Sequence, residues 1–222
     1  MSSIASSSPT AKQLLTSLLS AIEDQIIPLT REGVKSGSKL FGASILSKDL
    51  EPLVSATNNE RVSPLFHGEI HCIHQFFTQT YPEPAARPDP AECFFLATHE
   101  PCSLCLSGIT WSGFRRFFFL FTYEDSRDLF SIPYDIDILE SVFRVRAPSD
   151  TDESLAARPL YNKTNKFFKA EALADLVEQL DDEQDKTFFA AEIQRVKAYY
   201  NDLSNTYQAG KTSGAETSSH FK

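Results

Sequence analysis

Two short apolar runs, residues 93–98 (CFFLAT) and 116–123 (RFFFLFTY), constrain this chain most. Each is too short for an independent helix and rich in aromatic side chains, so each predicts a buried strand. Between them, residues 102–111 follow Pro101 and predict a short helix. Upstream, residues 40–47 (LFGASILS) and 52–56 predict a hairpin of two further strands, joined by the loop 47–51. Residues 67–78 contain no Gly or Pro after Gly68 and carry Ile70, Ile73, His74 and Phe77 on one face, the spacing of a helix. With residues 136–143 read as helical, the order β-β-α-β-α-β-α implies a central sheet with helices packed on it.

The ends read differently. Leu15, Leu18, Ile22 and Ile26 recur at helical spacing, and Pro28 should end that helix. Residues 1–12 are expected to be a disordered lead. Beyond Pro148, residues 167–207 lack Pro and Gly and are rich in Lys, Glu, Ala and Gln, which predicts a helical tail. Within it Phe189, Ile193, Val196, Tyr200, Leu203 and Tyr207 form an apolar seam that needs a covering surface: the body of the protein, a second subunit or an outside partner. Residues 180–185 (LDDEQD) read as a solvated turn and 209–222 as a disordered tail. The expected organisation is therefore a lead (1–12), one domain (13–148), a helical extension (149–208) and a tail (209–222).

Composition limits the function. With 21 Lys and Arg against 30 Asp and Glu, the formal charge is −9, which removes the attraction on which non-specific nucleic-acid binding depends. A nucleic-acid coat is thus not expected. Hydrophobic residues at 41%, including 18 Phe and 7 Tyr, are enough for a sizeable core. No apolar run approaches the ~18 residues of a membrane span. Four cysteines are too few for a disulfide scaffold, and the Ser-rich start has neither the basic residues nor the apolar stretch of a secretory signal. A reducing compartment, cytoplasm or nucleus, is the expected location.

Two of the cysteines, Cys102 and Cys105, stand in C-x-x-C spacing behind Pro101, and His67-Gly68-Glu69 lies 35 residues upstream. Together they match the H-x-E and P-C-x-x-C halves of the zinc deaminase signature. One imidazole (His67) and two thiolates (Cys102 and Cys105) leave the fourth tetrahedral position of Zn²⁺ open, and the metal brings its water towards a pKa of ~7. Helix N-termini favour the thiolate form that zinc requires. Glu69, two residues after the ligand His67, is placed to act as the acid/base that moves the proton of that water to a ring nitrogen and then to the leaving amine.

At these residues the chain resembles the cytidine deaminase-like superfamily, over roughly residues 25–145. H-G-E at 67–69, E-P-C-S-L-C at 100–105, C-L-S-G-I-T-W at 105–111 and E-D-S-R-D at 124–128 are similar to the guanine deaminase, cytosine deaminase and tRNA adenosine deaminase branches. The resemblance implies an α/β fold, a three-layer α/β/α sandwich with a mixed, mostly parallel five-stranded sheet, here followed by a C-terminal helical extension. The metal helices would sit at the C-terminal edge of the third to fifth strands. It implies a zinc-dependent aminohydrolase that releases ammonia from a small aminated purine or pyrimidine, free base or nucleoside, commonly as a homodimer. Carried over by position, Phe41-Gly42-Ala43 walls the base pocket, Gly68 is a further substrate-binding position, and Asn58, or its neighbour Asn59, binds the base or sugar.

Several residues have a simpler reading. His71, His74 and His99 are expected to pack or hydrogen-bond, and Cys72 and Cys93 to fill the core. Trp111 either stacks on a substrate ring or is core, and Glu124 and Asp125 either read an exocyclic amine or form a surface turn. Lys163, Lys166 and Lys169 form a local basic patch that could meet a phosphate, which keeps a tRNA or single-stranded nucleic-acid deaminase as the second reading. A zinc-bound subunit without activity, using the 189–207 seam, is the third.

Overall fold

The computed structural model describes residues 8–214 and 219–221. Five strands form one sheet in the order β2-β1-β3-β4-β5: β1 Gly42–Leu46, β2 Pro52–Thr57, β3 Phe94–His99, β4 Arg116–Phe121 and β5 Lys169–Ala172. β1 pairs antiparallel with both β2 and β3, while β3, β4 and β5 are parallel, so β1 alone runs against the other four. The sheet is mixed and mostly parallel, as expected.

The apolar runs are explained by burial on both faces. Phe94, Leu96, Phe118 and Leu120 point into one core, shared with α1 (Ala11–Ala21) and other helices, whereas Phe95, Ala97, Phe117 and Phe119 point into a second. That second core is closed by α3 (Gly68–Gln75) and α4 (Ser103–Trp111), through Cys72 and Ile109. The remaining helices are α2 (Ile27–Lys35), α5 (Tyr123–Phe130), α6 (Tyr134–Ile138), α7 (Asp152–Ala156), α8 (Leu173–Glu178) and α9 (Glu183–Thr212). No helix among the described residues is long and apolar enough to cross a membrane.

Several expectations need correction. Pro28 does not end the first helical run, because a wide π turn over Ile22–Ile26 re-registers the chain and puts the proline in the first turn of α2, where its missing N–H costs nothing. The lead is shorter than expected: Thr10 caps α1 in a reciprocal capping box with Gln13, and residues 1–7 lie outside the described part. On α3 and the π turn that follows it (Phe76–Thr80), Gly68, Glu69, Cys72 and Phe76 are buried, while Ile73 and Phe77 of the face that hydrophobic periodicity picks out are partly buried against the second core and His74 is exposed.

The tail is not wholly helical. Residues 169–172 (KAEA) form β5, which has almost no intrinsic strand preference and forms because the open edge of β4 supplies its partner. α9 lies on α1, α2 and α8, and Phe189, Ile193, Val196, Tyr200, Leu203 and Tyr207 are all buried in the first core. The seam is covered by the chain's own body, so it gives no ground for a second subunit or an outside partner. Arg195 bonds Glu23 at 2.6 Å and Lys12 bonds Asp185 at 2.7 Å, pinning α9 across the N-terminal helices. Helix α9 also continues to Thr212, past the expected start of the tail at 209, and Ser219 is buried; residues 215–218 and 222 lie outside the described part.

Candidate metal centre and adjoining cavity

His67 and Cys102 are the last extended residues before α3 and α4, at the cap positions of the two helices. Both helices pack on the same face of the sheet, and β3 delivers Cys102 directly through His99, Glu100 and Pro101. The two helix starts therefore converge. His67 Nδ1 lies 3.4 Å from Cys102 Sγ and 3.7 Å from Cys105 Sγ, and all three donor atoms fall within 4.8 Å of one another. Tetrahedral zinc with Zn–N of ~2.0 Å and Zn–S of ~2.3 Å separates a nitrogen from a sulfur donor by about 3.5 Å, which the His67–Cys102 and His67–Cys105 separations match.

The close approach depends on Gly68. A Cβ at this position would lie 2.7 Å from Gly42 Cα and 3.0 Å from the Phe41 carbonyl oxygen, so a side chain here would push α3 off β1. The Gly68 N–H donates to Asn58 Oδ1 at 2.6 Å. That bond fixes the amide orientation and leaves buried Asn58 Nδ2 as a donor with no partner among the described residues. Of the two candidate asparagines, Asn58 is the one turned inward; Asn59 pairs its backbone N–H with the Phe66 carbonyl and is only half-buried.

Glu69 is 5% exposed and reaches the Cys105 sulfur. Burial, and then the charge of Cys102, push its carboxyl up to about 7. For His67, burial opposes the charged ring, but the hydrogen bond and charge of Cys102, joined by Glu69 and Asp135, hold it up at about 9. The hydrogen bond from Cys105, together with His67, holds Cys102 well below the ordinary thiol value against the opposing effect of burial. Cys105 is raised by burial and by its neighbour Cys102.

A cavity of about 250 Å³ opens at His67 and Cys102 and is walled by Phe41, Tyr134, Asp135 and Phe221. Three of its features escaped sequence reasoning. Asp135 sits in the run Y-D-I-D-I-L-E, where nothing marks it off from Asp137. Lys39 and Glu60 form a buried ion pair of 2.7 Å, and Lys39 Nζ also donates to Ser219 Oγ at 2.8 Å. Residues Ser219, His220 and Phe221 line the cavity, with Phe221 stacked on Tyr134 at 4.7 Å. The polar composition of the C-terminus hid this role.

Other expected site residues lie elsewhere. Trp111 ends α4, about 13 Å along the helix from Cys102 at 1.5 Å per residue, and is 91% exposed, so it neither stacks on a ring in this cavity nor fills the core. Asp125 closes the capping box of α5 with Thr122 and pairs with Lys197 at 2.8 Å. Glu124 is exposed in the same first turn, and neither carboxylate lines the cavity. The strand expected over 116–123 ends at Phe121, and the cap at Thr122 puts Tyr123, Glu124 and Asp125 in helix α5 rather than in a surface turn. The basic patch is largely spoken for: Lys163 bonds Glu100 and Lys169 bonds Glu171.

The remaining histidines and cysteines serve the fold. His71 holds the Thr57 carbonyl and Gln75, His74 lies against Phe66, and His99 is enclosed by Phe41, Phe121, Phe130 and Tyr200. Cys72 and Cys93 are buried, and burial raises both thiols, Cys93 to about 11.

No curated protein sequence matches the chain. Among solved structures, guanine deaminase from Nitrosomonas europaea is 17% identical over 80% of this chain and 84% of its own, with a TM-score of 0.45. Guanine deaminase from Bacillus subtilis is 22% identical over 63% of this chain and 82% of its own, with a TM-score of 0.44. A tRNA:A34 deaminase of wobble-position A-to-I editing is 14% identical over 69% of this chain and 97% of its own, with a TM-score of 0.43. The cytidine and deoxycytidylate deaminase zinc-binding family matches residues 21–121, a span that contains His67, Glu69, Cys102 and Cys105. Over that span, a little under half of its length, the chain is similar to a cytidine and deoxycytidylate deaminase zinc-binding region.

Proposed function

We propose that the protein is a hydrolytic deaminase that releases ammonia from a small aminated purine or pyrimidine ring. The observation that carries this reading is the convergence of the His67, Cys102 and Cys105 donors, with buried Glu69 against them, at the end of a cavity sized for one ring system. At about 250 Å³ the cavity lies just below the ~300–1,000 Å³ of sites that hold drug-sized molecules. His67, Cys102 and Cys105 hold zinc, which supplies the Lewis acidity that makes water a nucleophile near neutral pH.

The other roles belong to the chain's own side chains. Glu69 accepts a proton from the attacking water and hands it to the ring nitrogen next to the amine-bearing carbon. It then moves the second water proton to the departing amine. The net change is one water consumed, one C–N bond replaced by C=O, and one ammonia released. Asn58 Nδ2, already aimed by the Gly68 bond, donates to a ring heteroatom or sugar hydroxyl. Phe41, Tyr134 and Phe221 offer flat apolar walls to a planar ring, and Asp135 accepts from a ring N–H or an exocyclic amine. The C-terminal residues over the cavity and the −9 charge both favour a small molecule over a polynucleotide. A homodimer stays a proposal from the family resemblance alone.

Ammonia release from a panel of guanine, cytosine, adenine, their nucleosides and pterin-like rings tests the reading. Turnover of one or more small rings is expected. Turnover confined to tRNA or single-stranded DNA would contradict the small-ring assignment, and inactivity of zinc-loaded protein on every substrate would contradict the deaminase assignment.

A further inference from the structure

Glu100, the residue before Pro101-Cys102, is 4% exposed, and its carboxylate is not part of the cavity at the metal centre. A buried carboxylate needs donors, and most of those that reach it come from far along the chain. Glu100 Oε1 accepts from the Tyr161 hydroxyl at 2.8 Å and from Lys163 Nζ at 3.0 Å, while Oε2 accepts from the Tyr123 N–H at 3.3 Å. The Tyr123 hydroxyl in turn donates to the Pro101 carbonyl, and the Tyr123 and Tyr161 rings meet edge to face at 6.1 Å. The Glu100 N–H donates to the Phe121 carbonyl at 2.8 Å. The two residues that precede Cys102 are therefore gripped at side chain, N–H and carbonyl.

The far side of this grip is anchored too. The Lys163 carbonyl accepts from the Ala170 N–H at 2.7 Å, which ties the segment to β5, and Lys163 Nζ sits 4.9 Å over the Phe119 ring. We propose that the segment after Pro148 is a working part of the metal centre: through Tyr161 and Lys163 it clasps Glu100 and so sets the position of Cys102 Sγ against His67. Glu100 is a positioning residue in this scheme; it touches neither substrate nor metal. The logic is that of groups behind metal ligands in general, whose loss typically costs ~10–100-fold in metal affinity. The inference uses the zinc-holding triad and does not depend on which ring is deaminated.

The test compares full-length wild type with Tyr161→Phe/Lys163→Met, Glu100→Gln and the control Arg158→Met. The control removes an ion pair to Asp150 within the same segment but away from Glu100. Two readouts are taken: the rate of zinc transfer to a chromogenic chelator, and the thiolate-to-metal bands of the Co²⁺-substituted proteins, which report sulfur geometry. The clasp variants should release zinc ~10-fold faster or more and shift the cobalt bands, with Arg158→Met like wild type. Unchanged release and bands in the clasp variants, or equally fast release from Arg158→Met, would overturn the inference. Should the double variant not fold, Tyr161→Phe alone keeps the ring and is judged by the same criteria. Wild-type protein that takes up no zinc would overturn the zinc assignment itself, whereas firmly held zinc that ignores the clasp overturns only this step.

Discussion

Cys102 Sγ and His67 Nδ1 stand 3.4 Å apart at the starts of two different helices. Zinc takes thiolates and a neutral imidazole, and the site holds His67 and Cys105 above their ordinary pKa values, so zinc uptake should release protons and its affinity should fall as pH falls. Calorimetric titration of metal-free protein in two buffers of different ionisation heat should show this release. Cys102→Ser and Cys105→Ser should each lose zinc on dialysis and melt at the temperature of metal-free wild type. Full zinc retention in either variant would count against the ligand set.

Helix α9 contributes to the fold through Tyr200, which is 0% exposed and packs on His99 and Phe121. Tyr200→Ala should destabilise the protein by about 3–5 kcal/mol, the range for large buried aromatics. Phe188→Ala, one of the exposed aromatics of the same helix, should change it by no more than ~0.5 kcal/mol. Denaturant unfolding compares the two; equal, small effects would mean that α9 is an appendage.

Stability should also carry the mark of His99. Burial first, and the nearby charge of Lys197 second, hold its folded pKa well below the ordinary 6.5. Above 6.5 the ring is neutral in both folded and unfolded chains, and the contribution to stability is complete. As pH falls below that value the unfolded chain takes a proton that the folded one refuses, so stability drops by about 1.4 kcal/mol per pH unit. Glu23 acts in a lower window: hydrogen bonds from Arg195 and Tyr199 hold it down at about 2, so its contribution is present above 4.5 and is lost as pH falls towards 2. Unfolding free energies measured from pH 7.5 to 4.5 should fall less steeply in His99→Gln, and an identical slope would refute this role for His99.

The metal site was legible because its chemistry forces residue types and spacing: only His67, Glu69, Cys102 and Cys105 combine H-x-E with P-C-x-x-C, and helix starts suit such ligands. β3 and β4 were legible for a related reason, since burial on both faces leaves unbroken apolar runs. β5 was not, because K-A-E-A forms a strand only when the edge of β4 is present. Trp111 misled because a family-like stretch fixes the helix but not how far its last turn lies from the cavity. Asp135 and the Ser219–Phe221 contacts were invisible for lack of any local pattern; tertiary packing alone brings them to the cavity. The cover over the α9 seam was undecidable from periodicity, which shows that a face is apolar without showing what lies on it.

The central claim is that Glu69 moves protons at a zinc site it does not help to build. It is buried against Cys105 yet is not one of the His67, Cys102 and Cys105 donors. The most direct measurement is ammonia release by zinc-loaded Glu69→Gln and Glu69→Ala, with metal content and unfolding followed on the same samples. Zinc content and fold should persist while turnover falls by ~10²–10⁴-fold, because neither an amide nor a methyl can accept the proton of the attacking water. Wild-type rates from zinc-loaded Glu69→Ala would contradict the account.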